Sequence, residues 1–102
     1  MKRTLLTLAS VAILGLSANT MAAGNAAAGK AKAASCIGCH GAKGISAVPT
    51  FPNLAGQKAA YTAKQLRDFK SGARKDGTMG AMAKPLSNAD IDNIAAYYAS
   101  LK

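Results

Sequence analysis

Two thiols and one imidazole fall within five residues of this chain, at Cys36, Cys39 and His40 in the stretch "SCIGCHGAKG". They are its only cysteines and its only histidine. On one helical turn, residues i and i+3 lie on the same side. Both thiols can then reach the two vinyl groups on one porphyrin edge and form thioethers, while the next residue carries its imidazole beneath the iron. Cys-x-x-Cys-His is in this sense a covalent haem-attachment motif. The rival chemistries need more than the chain offers. Structural zinc wants four ligands, and no acid stands near these three donors. A thioredoxin-like dithiol needs a surrounding strand–helix alternation, which is missing. A plain disulfide would leave His40 without a role and the small core unfilled. The reading is one covalently bound haem c.

An iron held by His40 needs a sixth ligand or an open site. No second histidine exists, so the candidates are Met79 and Met82 in "GTMGAMAKP"; Met1 and Met21 lie in the N-terminal segment. A methionine in a loop is ordinarily apolar filling. Two of them in a Gly-rich loop, in a chain short of core material, point to ligation. A His/Met pair raises the reduction potential of the iron, which suits an electron carrier, and it closes the site to oxygen or peroxide. No pair of acids is placed for acid–base work, so an enzyme acting alone is not expected.

The elements that must position these residues are helices. Lys2 and Arg3, then the apolar run Leu5 to Leu16, then small residues to Ala23 have the layout of a secretory signal peptide. The run is well short of the ~20 residues of a spanning helix, although an uncleaved anchor is the alternative. Cleavage after Ala22 or Ala23 would deliver residues 24–102 to a bacterial periplasm as one small domain. Such a domain has few large apolar residues and rarely stands without a staple or a filler. Asn25 caps an Ala- and Lys-rich run. Gln57 to Ser71 forms a second helix closed by Gly72, with Tyr61, Leu66 and Phe69 on its apolar side and the Tyr61 hydroxyl at the surface. Ser87 caps a third, with Asp90 completing a shortened capping box and Ile91, Ile94, Ala95, Tyr98 and Leu101 at helical spacing. Residues 41–56 and 72–85 read as two long loops with a job of their own. Eleven of the thirteen Lys and Arg follow residue 23 against four Asp, a net charge of about +7. That excess favours an acidic protein face or an anionic lipid surface. Nucleic acid is excluded by export and by the absence of a single-strand-binding pattern.

Beyond the motif, "NAAAGKAKAAS", "PTFPNLAGQKAAYTAKQLRDFKSGARKD" and "TMGAMAKPLSNADIDNIAAYY" resemble class I cytochrome c, more narrowly the small bacterial cytochromes c553 and the single-haem halves of cytochrome c4. The resemblance covers essentially all of residues 24–102. It implies an all-α class I cytochrome c fold, three to four short helices wrapped around one covalently bound haem c, with Gly29 at the crossing of the first and last helices and Tyr97 and Tyr98 in the final aromatic segment. It implies Cys36 and Cys39 as thioether anchors, His40 as proximal ligand, and Met79 rather than Met82 as distal ligand. The carbonyl of Pro52 in "PNL" would orient the imidazole through its other nitrogen. The implied function is a monomeric, soluble periplasmic electron shuttle between respiratory redox proteins. From their own charge, Lys43, Lys58, Lys64, Arg67, Lys70, Arg74, Lys75 and Lys84 would either form a basic docking ring for an acidic reductase or terminal oxidase or be, for many of them, simply the solvated faces of short helices.

Overall fold

The computed structural model describes residues 24–102, so the secretion signal expected over residues 1–23 lies outside the described residues. The described chain is helical: α1 Ala26–Lys32, a 3-10 turn Ala33–Ser35, the one-turn α2 Ile37–His40, α3 Ala59–Ser71, α4 Gly77–Ala83 and α5 Asn88–Ser100. No strand occurs among the described residues, and none of their helices is long and apolar enough to cross a membrane.

The first and last helices cross at backbone distance. A Cβ built on Gly29 would sit 1.9 Å from the Asn93 carbonyl oxygen, and one on Gly24 would sit 2.1 Å from that of Asp92. Only hydrogen fits at either place. Asparagines secure the crossing from both sides: Asn25 Oδ1 accepts from Ala28 N at 2.8 Å, while Asn25 N donates to Asn93 Oδ1 at 2.8 Å. Ala33, Ile94, Tyr97 and Tyr98 form the core beneath it, and Cys36, Leu54, Leu66, Leu86 and Leu101 pack against that core.

Helix α3 lies on the other side of α5, where Ala63, Ile91 and Ala95 form a second cluster joined to the first through Leu66 and Leu86. Arg67 spans the two helices, donating to Asp92 Oδ1 at 2.9 Å. Gly72 ends α3 in the left-handed region with φ 91°, as its sequence position implies. Of the apolar side expected for α3, Leu66 packs inward and Phe69 is partly buried, whereas Tyr61 is 50% exposed and the buried positions are Thr62 and Ala63.

The region 72–85 is not all loop. Asp76 caps α4 by accepting the Met79 amide at 2.8 Å, which satisfies a first-turn donor. Two glycines, each worth about 1 kcal/mol against a helix, hide α4 from sequence periodicity. Gly80 faces α3, where even a Cβ would make only an ordinary contact, 3.8 Å from the Phe69 carbonyl oxygen. Tertiary contact therefore overrides a poor local propensity.

Two expectations follow. Gly29→Ala forces α1 and α5 apart and lowers the unfolding free energy by about 1–3 kcal/mol, the usual cost of overpacking, read as a lower urea midpoint. At the start of α5, Ser87 N donates to Asp90 Oδ2 at 2.9 Å and Asp90 N donates to Ser87 Oγ at 3.0 Å. The bond from the Ser87 amide holds the Asp90 carboxyl below the usual carboxylate range, helped by the Ser87 hydroxyl and by Lys32. A depressed carboxylate contributes stability above its ordinary pKa that is lost as pH falls through the folded value. Asp90→Asn is therefore less stable than wild type at neutral pH and converges with it in acid, as acid–urea titrations would read.

Candidate functional site

The cysteine motif folds as a single turn. His40 N donates to Cys36 O at 3.0 Å and Gly41 N to Ile37 O at 3.0 Å, which gathers Cys36, Cys39 and His40 onto one turn. The next residue must reverse the chain. Gly41 does so at φ 93°, where a Cβ would fall 1.8 Å from the Ile45 carbonyl oxygen.

The two thiols are free and unlike each other. Cys39 is exposed and Cys36 is partly buried. Burial pushes the Cys36 thiol up; the neighbouring Ser35 and Tyr98 hydroxyls work the other way, and nearby Cys39 adds to the rise. Tyr98 is fully buried, and burial likewise pushes its hydroxyl well up from the usual phenol range, with the Cys36 and Tyr97 charges adding to it. The Tyr98 Oη has no partner of hydrogen-bonding geometry.

His40 is 8% exposed. Its Nδ1 lies 2.8 Å from the Pro52 carbonyl oxygen. A carbonyl only accepts, so Nδ1 carries a proton, and in the neutral ring the lone pair is on Nε2. The imidazole is thus held in the tautomer that can ligate a metal, at an angle set by the loop. Phe51 flanks it, ring centroids 6.4 Å apart and planes tilted by 46°.

The loop 41–56 owes its shape to two residues that sequence reasoning missed. Asn53 Oδ1 accepts from Ser46 N at 2.7 Å. Ser46 Oγ accepts from Val48 N at 3.0 Å and lies within reach of the Cys39 and Val48 carbonyls, at 3.1 and 3.0 Å. The only local signal was the Ser-x-Val turn, a pattern too common to single out. Leu54 N and Ala55 N both donate to Gly44 O, at 2.8 and 3.0 Å. Pro52 is thereby tied back to the segment that carries Cys39.

Met79 lies in the first turn of α4, partly buried, and near His40. Met82 follows three residues later and is 37% exposed. The basic ring is only partly free. Lys64 pairs with Asp68 at 2.6 Å and Arg67 with Asp92 at 2.9 Å. Arg74 stacks 4.4 Å above the Phe69 ring and donates to Gln65, and Lys70 donates to the Leu86 carbonyl. Lys43, Lys58 and Lys84 are exposed and enter none of the described ion pairs. All four aspartates are engaged: Asp76 caps α4, and Asp68, Asp90 and Asp92 each face a cation.

These residues fit a haem c. Two free thiols stand three residues apart on one turn, a buried imidazole keeps Nε2 available, and an orphaned hydroxyl is buried beside one of the thiols. Among the described residues, no three His, Cys, Asp or Glu side chains converge as a ligand set for a bare metal ion.

The comparisons agree with that chemistry. The family described as Cytochrome c matches residues 26–102. Cytochrome c4 of Pseudomonas aeruginosa is 52% identical over 89 residues, covering 87% of this chain and 44% of that protein. A protein of Thiomonas intermedia called thiosulfate dehydrogenase electron acceptor is 49% identical over 77 residues, 74% of this chain and 36% of its own. The crystal structure of reduced recombinant cytochrome c4 from Pseudomonas stutzeri superposes with a TM-score of 0.75 at 46% identity, over 78% of this chain and 47% of that one. The chain thus spans about half the length, or less, of these relatives. With the family matching along residues 26–102 and the fold superposing on that of a cytochrome c4, this chain belongs to the cytochrome c family and carries a covalently bound haem c.

Proposed function

We propose that the protein is a periplasmic one-electron carrier whose haem iron is ligated by His40 and Met79. The observation that carries this reading is the clamped imidazole: His40 Nδ1 committed to Pro52 at 2.8 Å, with Nε2 left over and Met79 nearby. Residues 1–23 serve as the secretion signal, and residues 24–102 form the working domain. The name of the Thiomonas relative, an electron acceptor for a dehydrogenase, supports electron carriage between redox proteins and no turnover by the chain itself.

The bound haem supplies a one-electron ferric–ferrous couple. Everything else is the work of the chain. Cys36 and Cys39 anchor the porphyrin edge as thioethers. Pro52 fixes the ring plane of His40 and makes Nε2 a better donor, as the outer partner of a ligating histidine does. Asp76 and the α3 contact hold α4, which would keep the Met79 sulfur in place in both oxidation states and leaves Met82 without a ligand role. Little then rearranges when an electron moves. A His/Met pair on the iron would keep the potential high.

With every aspartate of residues 24–102 engaged within the chain, the outward charge is cationic, with Lys43 beside the cysteine turn in sequence and Lys58 and Lys84 uncommitted. An acidic face on the partner is the matching chemistry.

The ligand assignment is checked by the far-red spectrum of the ferric protein. A methionine-to-iron charge-transfer band is expected in wild type, retained in Met82→Ala and lost in Met79→Ala; loss in Met82→Ala alone would transfer the ligand role, and a high-spin wild type would mean an open site. Docking is checked by electron-exchange kinetics with an acidic redox protein. Reversing Lys43 and Lys58 to Glu should slow the reaction about tenfold at low ionic strength, and the difference should vanish in high salt as the charges are screened.

A further inference from the structure

Tyr98 is the one residue among those described whose side chain leaves a buried polar atom without a hydrogen-bond partner. Its side chain is fully buried. A buried phenol with nothing to bond is costly, and a phenylalanine of the same shape would avoid the cost. The hydroxyl is therefore a group in want of a partner. Its surroundings narrow the choice. Tyr98 belongs to the cluster of Ala33, Ile94 and Tyr97, whose side chains have no polar atom to share except the neighbouring phenol, and Cys36 packs against that cluster. Tyr97 packs ring to ring, centroids 5.0 Å apart and planes tilted by 55°, an arrangement that brings faces and edges together. Of the side chains that pack against the cluster, only Cys36 carries a polar atom, its sulfur.

We infer that Tyr98 is a positioning residue for the haem bond at Cys36: its hydroxyl donates to the Cys36 sulfur in the haem-loaded protein, orienting that thioether and drawing electron density from it. This rests on Cys36 being a haem anchor. In the free chain the Cys36 thiol can donate or accept, so either group can lead. When the thiol adds across a vinyl group, the sulfur–carbon bond forms and the thiol hydrogen goes to the other vinyl carbon. The sulfur has then lost its donor and only accepts. From that point the phenol must be the donor. Cys39, being exposed, has no such partner, so the two thioethers are unequal: one is held from inside the fold and one faces solvent. Electron density drawn from the Cys36 sulfur favours the ferrous state of the iron.

The test uses the exported, haem-loaded protein. Denaturing electrophoresis comes first: haem that leaves the chain overturns the proposed function and this inference together. With the haem retained, wild type, Tyr98→Phe and Tyr97→Phe are compared by spectroelectrochemistry and by urea unfolding. The expected result is a twofold to fivefold weaker preference for the ferrous state in Tyr98→Phe, about 20–40 mV lower at 59 mV per tenfold, with no change in Tyr97→Phe. Tyr98→Phe should also unfold at lower urea. An unchanged potential with unchanged or higher stability would mean that the hydroxyl stays unpartnered, and the inference fails. A reading independent of the variant's folding comes from wild type alone. In resonance Raman, the carbon–sulfur stretch of one thioether should shift between H2O and D2O once the buried phenol has exchanged; no shift overturns the inference.

Discussion

The close approach of α1 and α5 at Gly29 is the constraint on which the rest depends. A Cβ at that point would meet the Asn93 carbonyl oxygen at 1.9 Å, so the crossing exists only because hydrogen stands where other residues carry carbon. The crossing joins the two ends of the described chain. It brings the 3-10 turn and Cys36 down onto Tyr98, and it lets Gly56 N reach the Tyr98 carbonyl at 2.9 Å. A domain whose fully buried large side chains, among the described residues, are Tyr98 and Ile91 has little apolar area to spend at ~25 cal/mol per Å². Close backbone packing, capping and a covalently held prosthetic group take over the work that a larger core does elsewhere.

The site is built by opposition. On one side, the single turn at the cysteines presents thiols and imidazole and is reversed at once by Gly41. On the other, the loop from Gly44 to Pro52 returns through Ser46 and Asn53 and offers one carbonyl to the imidazole. Neither half is a regular element, so each must be held by named hydrogen bonds. That explains why a loop without helix or strand keeps a 2.8 Å contact between His40 and Pro52. Helix α4 brings Met79 near His40, its first turn set by the Asp76 carboxylate rather than by helix propensity.

Charge follows the same economy. The aspartates sit where backbone amides or neighbouring cations engage them, which leaves positive charge as the outward signal. Exposed pairs such as Lys64–Asp68 add little stability, but they remove negative charge from the surface that a partner meets.

What the sequence by itself determined is the chemistry and the coarse architecture. The spacing of Cys36, Cys39 and His40 has one good use, and the caps at Asn25 and Ser87 and the stop at Gly72 are local signals that local physics obeys. The apolar spacing of α5 was legible for the same reason. Tertiary structure alone decided the rest. Helix α4 was hidden by Gly77 and Gly80 and exists because Asp76 caps it and α3 supports it. The inward face of α3 keeps Leu66 but passes through Thr62 and Ala63 rather than Tyr61, a choice that rests on where α5 comes to lie. The bonds of Ser46 and Asn53, and the burial of the Tyr98 hydroxyl beside Cys36, join residues distant in the chain. No periodicity records such pairings, since a hydrogen bond across a fold depends on where two backbones come to rest.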